Sequence, residues 1–277
     1  MSLAIVFPGQ GSQKVGMGET LFDTYPELTT NASTILGYDI KKLCLEDPDG
    51  NLSFTQYTQP ALYVVSALLF KALKKSENPT INWLAGHSLG EYNACEAAKV
   101  FSFEEGLKLV KKRGELMGTI SGGGMAAVLG LSVEEIKDVL KDHQLETIDV
   151  ANLNTPVQTV LSGLKTDIEL ATPIFEEKAK RFIPLNVSGA FHSRYMVEAQ
   201  KEFEKTLDHC TFSAPKIPIV SNVTAQPYQN DAKALLAAQI SSPVQWVNTI
   251  RFMKENNVET FKEVGPGKVL TGLIRKI

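Results

Sequence analysis

The sequence predicts an α/β fold with a mostly parallel sheet, and three observations support this prediction. Short apolar stretches that suit buried strands alternate along the chain with longer segments rich in helix-forming residues. A G-x-S-x-G pattern at 86–90 lies between one such strand and one such helix. A triple glycine at 122–124 marks a hinge or linker where the alternation changes. The chain is therefore predicted to form a larger α/β unit interrupted by a smaller one.

Composition limits the classes of function that are open to the chain. Its 277 residues, 43% of them hydrophobic, are enough for one large domain or two modest ones. A net charge of -3 and a pI near 5.9 disfavour nucleic acid binding. No apolar run approaches the ~20 residues of a membrane span, and the first residues lack the basic region of a signal peptide. Three cysteines without C-x-x-C spacing predict no metal site, and we expect a cytoplasmic protein that binds neither membrane nor nucleic acid.

The first predicted strand, at 3–7, leads into a glycine-rich turn at 8–13. A nucleotide-binding turn is one interpretation, but Lys14 stands where G-x-G-x-x-G requires its third glycine, and no G-K-[ST] follows. The other interpretation is that the turn brings the backbone N–H of Gln10 close to a site at Ser88. We favour the second interpretation.

Helices dominate the chain from there to the triple glycine. We expect a helix at 25–40, a polar loop at 45–53, a buried helix at 60–74, a strand at 81–85 and helices at 89–98 and 103–117. The last helix begins at a capping box, with Ser102 as the cap and Glu105 three residues later. Its basic residues (Lys108, Lys111, Lys112 and Arg113) are typical of a solvated helix face.

The G-x-S-x-G pattern predicts a nucleophile elbow at Ser88. Glycines on both sides leave room for a strained backbone that raises the serine oxygen above the sheet. The following helix directs its N-terminal N–H groups towards the position of a developing oxyanion. The alternative is a glycine-lined helix start whose serine only caps the helix.

A second pattern occupies 122–187. We expect strands at 125–129, 147–153, 157–162 and 182–187, with helices at 133–142 and 165–180. A ferredoxin-like (βαββαβ) unit has this order of strand, helix, strand, strand, helix and strand. We therefore predict a large α/β-hydrolase-like domain with a mostly parallel sheet at 1–121 and 188–277, and an inserted ferredoxin-like subdomain at 122–187. The cleft between them is the expected site.

A serine nucleophile needs a base, and the chain has four histidines. His87 lies next to Ser88 in the same tight turn, so its side chain should point away from the serine oxygen. His143 and His209 lie at predicted helix ends with polar neighbours. His192 lies among small residues just after the inserted unit, where it can reach the cleft. A structural role is common for histidine, but elimination favours His192 as the base.

The remainder of the chain returns to the alternating pattern. We expect a strand at 216–222, a helix at 232–240, a helix opened by 243–246, a strand at 260–264 and a last helix after 265–267. This alternation supports a parallel sheet covered by helices on both faces.

Eight segments together resemble one known family. They are FPGQGSQ at 7–13, TQPA at 58–61, GHSLGEY at 86–92, RGELM at 113–117, NTP at 154–156, AFHS at 190–193, PVQW at 243–246 and EVGPG at 263–267. In this order they resemble the malonyl-CoA:acyl carrier protein transacylases, which include the acyltransferases of fatty acid and polyketide synthases. The short length looks most like the discrete acyltransferases that serve polyketide synthases in trans.

The resemblance implies a ping-pong acyl transfer without a bound cofactor. Ser88 would attack malonyl-CoA, His192 would act as its base, and the phosphopantetheine thiol of an acyl carrier protein would take the malonyl group. By similarity, the backbone N–H groups of Gln10 and Leu89 form the oxyanion hole. A main-chain carbonyl, matched to Gln245, would orient the imidazole in place of a carboxylate.

The resemblance also implies how the substrate is selected. Arg113 would bind the malonyl carboxylate through two parallel hydrogen bonds. Phe191 would leave little room for a methyl group on the substrate's α-carbon. Gln59, His87 and Asn154 are expected to line the site. The family is often monomeric, and we expect the same here.

Two alternatives to the transferase stay open at this point. An acyl hydrolase that clears carrier proteins would use Ser88 and His192 equally well, but it would have no use for a buried cation at Arg113. A scaffolding protein without activity would not need both Ser88 and His192. A nucleotide-binding oxidoreductase is disfavoured because the third glycine is missing.

Overall fold

The computed structural model describes residues 2–277, and it contains two separate sheets. Its strands and α-helices in chain order are β1 (Ser2–Phe7), α1 (Leu21–Thr24), α2 (Pro26–Leu36), α3 (Ile40–Leu45), α4 (Thr55–Ser76), β2 (Trp83–Gly86), α5 (Gly90–Ala97), α6 (Phe103–Thr119), β3 (Gly123–Leu129), α7 (Val133–Asp142), β4 (Asp149–Thr155), β5 (Gln158–Leu164), α8 (Lys165–Lys178), β6 (Arg181–Pro184), α9 (Val197–Leu207), α10 (Ala232–Ala238), α11 (Trp246–Glu255), β7 (Val258–Glu263) and α12 (Val269–Ile274). The expected α/β architecture with a parallel sheet is confirmed.

The parallel sheet has three strands in the order β2-β1-β7. Its central strand is apolar and fully buried from Ala4 to Phe7, as is typical of a strand that is covered on both faces. The register places Phe7 opposite Gly86, so the ends of β1 and β2 lie side by side. Both strands therefore deliver their following turns to the same edge of the sheet.

Helix α5 begins in contact with the end of β1, and only glycine fits at this contact. A Cβ atom on Gly90 would lie 2.0 Å from the carbonyl oxygen of Phe7, and one on Gly86 would lie 1.8 Å from the carbonyl carbon of Gly90. This crowding holds the turn between β2 and α5 against the neighbouring strand.

Three sequence predictions differ from the structure in this half of the molecule. The helix predicted at 25–40 ends at Leu36, because Gly37 adopts the left-handed conformation there, and a separate helix begins at Ile40. The buried helix predicted at 60–74 begins at Thr55, because Pro60 is accommodated inside the helix instead of starting it. The strand predicted at 216–222 is wrong, since this segment forms only isolated bridges at Ile219 and Val220. Pro218 has no N–H to continue a ladder of hydrogen bonds.

The second sheet is antiparallel and has four strands in the order β4-β5-β3-β6. With α7 and α8 it encloses its own apolar cluster, which includes Ile136, Leu161 and Phe175. It connects to the rest of the molecule along β4, where Leu153 and Val244 are joined through the backbone. Arg194 also forms hydrogen bonds with Asp149 of β4. These contacts fix the cleft between the two sheets.

Within residues 2–277, no helix combines the length and the apolar character that are needed to cross a lipid bilayer.

Gly90→Ala tests the contact between α5 and β1. We expect it to lower the free energy of unfolding by about 3 kcal/mol or more, because the added methyl group overlaps the Phe7 carbonyl. Gly272→Ala in α12 is the matched control, since its Cβ would meet no atom within 4 Å and should add about 0.5–1 kcal/mol of helix stability. Urea unfolding measures both, and equal effects of the two substitutions would contradict the contact.

Candidate active site

The backbone of Ser88 adopts the left-handed conformation, with a φ of 51°, as expected for a nucleophile elbow. The side chain of Asn222 holds this turn from the neighbouring segment. Its Oδ1 accepts from the Ser88 N–H at 2.7 Å, and its Nδ2 donates to the Gly86 carbonyl at 2.6 Å. A buried amide therefore satisfies the polar backbone groups that the strained turn leaves unpaired.

Ser88 and His192 are in direct hydrogen-bond contact. Ser88 Oγ lies 2.7 Å from His192 Nε2, and His192 Nδ1 lies 2.8 Å from the main-chain oxygen of Gln239. Because a carbonyl oxygen only accepts, the hydrogen-bond partners assign the ring proton to Nδ1. Nε2 is then free to accept the serine proton.

His192 is held in its neutral form. Burial lowers its pKa to about 3, and the positive charge of Arg113 adds to this effect. Its backbone is also left-handed, with a φ of 58°. Backbone strain of this kind is frequent in functional sites, and here it occurs at both members of the pair.

The carbonyl that holds His192 belongs to Gln239, so the match to Gln245 is wrong. Gln239 is the C-cap residue of α10, and the carbonyl groups at a helix end have no partner within the helix. Gln245 lies six residues later, just before α11, where its N–H donates to the Asn222 carbonyl at 2.9 Å.

Arg113 is buried beside Ser88, although the run of basic residues on its helix is typical of a solvated face. Its Nη1 donates to Gln59 Oε1 at 2.7 Å, and its Nη2 donates to Gln239 Oε1 at 2.9 Å and to Ser88 Oγ at 3.1 Å. The ring of Tyr92 lies 5.5 Å from the guanidinium carbon. Among residues 2–277, Arg113 has no carboxylate in ion-pair contact. Burial lowers its pKa, but a guanidinium stays charged.

Two backbone N–H groups beside Ser88 are free to donate a hydrogen bond. Gln10 and Leu89 line the same cavity as Ser88, and within the described residues 2–277 neither N–H has a hydrogen-bond acceptor. The turn that carries Gln10 approaches the elbow closely, because a Cβ on Gly9 would lie 2.4 Å from the His87 carbonyl oxygen. This arrangement leaves two free donors beside one serine oxygen.

The cavity next to Ser88 is small, with a volume of about 100 Å³. Its lining combines polar residues with an apolar side made of Met117, Met125, Leu185, Val187 and Phe191. Gln59 and His87 lie in the lining as expected. Asn154 does not line the cavity. Its Oδ1 lies 2.8 Å from Nε2 of His87, so Asn154 contacts a lining residue, and Asn152 of the same strand lines the cavity instead.

Three buried residues of this region were not predicted from the sequence, namely Glu91, Asn222 and Gln239. Glu91 lies inside the GHSLGEY segment, directly after the elbow, and could have been noticed as a carboxylate in a buried helix. Asn222 ends the segment that runs beside β2, so its position at the same sheet edge was a usable signal. For Gln239, the only signal in the sequence was its position at the end of a predicted helix.

Comparison with known proteins agrees with this geometry. The family model described as "Acyl transferase domain" matches residues 4–276. The chain therefore belongs to the acyl transferase family, as the sequence motifs predicted. The Bacillus subtilis protein named "Polyketide biosynthesis malonyl CoA-acyl carrier protein transacylase PksC" is 54% identical over 278 residues, which cover 99% of this chain and 96% of that protein.

Solved structures show the same fold. A malonyl CoA-acyl carrier protein transacylase from Burkholderia pseudomallei superposes with a TM-score of 0.97 at 45% identity, covering 100% of this chain and 97% of its own. A further match, with a TM-score of 0.95 at 35% identity, covers 100% of this chain and 93% of its own. It comes from a complex (PlMCAT:AntF) described as a type II PKS acyl-carrier protein with its malonyl-transacylase.

Asn222→Ala tests how the elbow is held. The substitution leaves the buried Ser88 N–H without its acceptor, so we expect a loss of about 1–3 kcal/mol in the free energy of unfolding. The displaced serine should react with a phosphonyl fluoride roughly 10- to 100-fold more slowly. Asn248→Ala is the control, because that amide donates only to the Gln245 side chain. Unchanged reactivity of Ser88 in the Asn222 variant would show that the turn does not need this amide.

Proposed function

We propose that the chain transfers a malonyl group from malonyl-CoA, through an ester on Ser88, to the phosphopantetheine thiol of an acyl carrier protein in polyketide or fatty acid biosynthesis. The observation that carries the proposal is the buried guanidinium of Arg113, 3.1 Å from Ser88 Oγ, which has no carboxylate partner within residues 2–277. Desolvating a cation is costly unless a ligand anion pairs with it. An acyl group with a free carboxylate supplies that anion.

The first half-reaction uses the contacts of the free site. Ser88 Oγ attacks the thioester carbon while its proton passes to His192 Nε2. The negative oxygen of the tetrahedral intermediate accepts from the N–H groups of Gln10 and Leu89. The C–S bond then breaks, and coenzyme A leaves as a thiol with the proton from His192. The malonyl group stays on Ser88 as an ester.

The second half-reaction reverses these steps with another thiol. The phosphopantetheine S–H gives its proton to His192 Nε2, and its sulfur attacks the ester carbon. The Ser88 oxygen leaves and regains the proton from His192. Throughout, the Gln239 carbonyl accepts from His192 Nδ1, which stabilises the imidazolium that forms transiently.

The relatives support the choice of donor and acceptor. PksC is named a malonyl CoA-acyl carrier protein transacylase, and the PlMCAT:AntF complex joins a malonyl-transacylase with an acyl carrier protein. Malonyl-CoA as the donor and a carrier protein as the partner follow from this similarity and from Arg113. The chain needs no bound cofactor for these steps.

Phe191 is the proposed determinant of malonyl over α-branched substrates. It lines the small cavity directly before His192, so an extra methyl group on the α-carbon would have to displace its ring. Excluding one methyl group is worth only about 1–3 kcal/mol, so selection by Phe191 is partial.

We also propose an α/β-hydrolase-like catalytic domain at 1–121 and 188–277 and a ferredoxin-like subdomain at 122–187. The strand order β4-β5-β3-β6 and the separate apolar cluster of the antiparallel sheet support this division. We propose that the protein is a monomer, as the family often is. We also propose a cytoplasmic location, since three free cysteines suit a reducing compartment.

Intact-protein mass spectrometry after mixing with malonyl-CoA tests the ester. We expect wild type to gain the mass of one malonyl group and Ser88→Ala to gain none, because Ser88 supplies the only proposed attacking oxygen. Free coenzyme A that appears with no lasting adduct would instead indicate that water cleaves the ester quickly, as an acyl hydrolase requires.

Arg113→Ala tests recognition of the carboxylate. Loss of the charge that pairs with the malonyl carboxylate should raise the activation free energy of malonyl transfer by about 2–5 kcal/mol. This lowers kcat/KM roughly 30-fold to several thousandfold. Hydrolysis of an acetyl thioester, which carries no carboxylate, should be largely spared. The two substrates are compared in the same preparation, and equal losses on both would rule out a role in binding the malonyl carboxylate.

A further inference from the structure

Glu91 is a buried carboxylate that has no role in the reaction steps proposed above. It lies in the first turn of α5 and is 1% exposed. Its Oε1 accepts from the Tyr228 hydroxyl at 2.5 Å and from the Asn222 N–H at 3.1 Å. Its Oε2 accepts from the Gln239 side-chain amide. Every partner donates, so the arrangement fits the ionised form of Glu91.

Gln239 connects this carboxylate to the reacting groups. Its Nε2 donates both to Glu91 and to the Ser88 carbonyl, the latter at 3.0 Å. Its Oε1 accepts from Arg113 Nη2 at 2.9 Å, and its main-chain oxygen lies 2.8 Å from His192 Nδ1. One buried glutamine therefore contacts the serine, the arginine and the histidine of the site.

The direction of the Gln239 amide depends on what faces it. An ionised carboxylate only accepts, so the NH₂ group must point to Glu91, and the amide oxygen then faces Arg113. We propose that ionised Glu91 is a positioning residue that fixes the Gln239 amide and thereby aligns Arg113 and His192 with Ser88. This inference rests on the acyl transfer proposed above.

Protonation of Glu91 removes the reason for this orientation. A carboxylic acid has a proton to donate, whereas the Asn222 N–H cannot accept it. The Tyr228 hydroxyl can accept a proton on Oε1, but then it no longer donates to that oxygen. A proton on Oε2 faces the Gln239 amide, which satisfies the acid by turning its oxygen towards Glu91, and its NH₂ group then faces the guanidinium of Arg113. Two donors would oppose each other in a buried site, so Arg113 would move away from Ser88 Oγ.

Glu91 also changes charge in the working pH range. Burial raises its pKa to about 7, and the hydrogen bonds from Tyr228, Gln239 and Asn222 and the charge of Arg113 lower it in part. The ionised form is therefore present above pH ~7 and is lost as the pH falls through that value. Transfer that requires ionised Glu91 should rise with pH through this range.

The other titratable groups around Glu91 keep their charge across the same range. Burial raises the pKa values of Tyr92, Cys95 and Tyr228, so these groups stay neutral. Arg113 stays charged. His192, with a pKa lowered to about 3, remains neutral above pH 5.

The test is the pH dependence of Ser88 malonylation, measured as kcat/KM between pH 5.5 and 8.5 by quenched mass spectrometry. Wild type should lose activity on the acid side with a midpoint near pH 7. Glu91→Gln imitates the neutral acid, so its profile should be flat and at least tenfold below the wild-type value at pH 8.5. Glu96→Gln, in the same helix and also buried but outside this network, should keep the wild-type profile.

Tyr228→Phe gives an independent result if Glu91→Gln does not fold. It removes one donor that lowers the pKa of Glu91, so the acid midpoint should move to higher pH. A role in stability alone would not move this midpoint. A folded Glu91→Gln variant with the wild-type midpoint or rate, or a Tyr228→Phe midpoint that stays in place, would overturn the proposal.

A second readout separates this inference from the proposed function. Phosphonylation of Ser88 by a phosphonyl fluoride needs no malonyl group, but it depends on the same orientation of Gln239, because a turned amide no longer donates to the Ser88 carbonyl. If wild type forms no malonyl ester at any pH, the proposed function fails, and the same midpoints measured by phosphonylation still decide the role of Glu91.

Discussion

The left-handed turn at Ser88 is the constraint on which the rest of the site depends. It exists because β2 ends at Gly86 and α5 begins at Gly90, with no room for a side chain between them and the end of β1. The turn costs backbone strain, which Asn222 offsets by binding the groups that the turn leaves unpaired. A displaced α5 would move the Leu89 N–H together with the serine. The packing of α5 against the sheet therefore determines where the groups of the proposed chemistry lie.

One neutral amide separates the two buried charges of the site. Gln239 lies between Glu91 and Arg113 and binds both, so the guanidinium is oriented without being neutralised by direct contact. A direct ion pair would compete with the carboxylate of a substrate for the same donors. Placing the acidic charge one residue away leaves Nη2 of Arg113 in contact with Ser88 Oγ. This explains how a cation can remain buried in a site that is proposed to bind an anion.

Local patterns predicted most of the fold and the Ser88–His192 contact. The elbow needs only neighbouring residues, so its motif is visible in the sequence. Gln239 was missed because its role depends on a helix end that meets His192 in space, 47 residues away along the chain. The strand expected around Pro218 failed for a local reason, the missing N–H. The run of basic residues around Arg113 is typical of a solvated helix face, yet Arg113 is buried. The packing of its helix decides which of these side chains faces the site.

The most direct test of malonyl transfer through Ser88 starts from purified malonyl-enzyme that has been freed of malonyl-CoA. It is mixed with an acyl carrier protein that bears phosphopantetheine and, separately, with the same carrier lacking it, and both masses are followed with time. We expect the malonyl mass to leave the enzyme and appear on the phosphopantetheine-bearing carrier alone, at a rate well above loss to water. Loss of the malonyl group at the same rate with either carrier, with no gain of mass on the carrier, would contradict transfer.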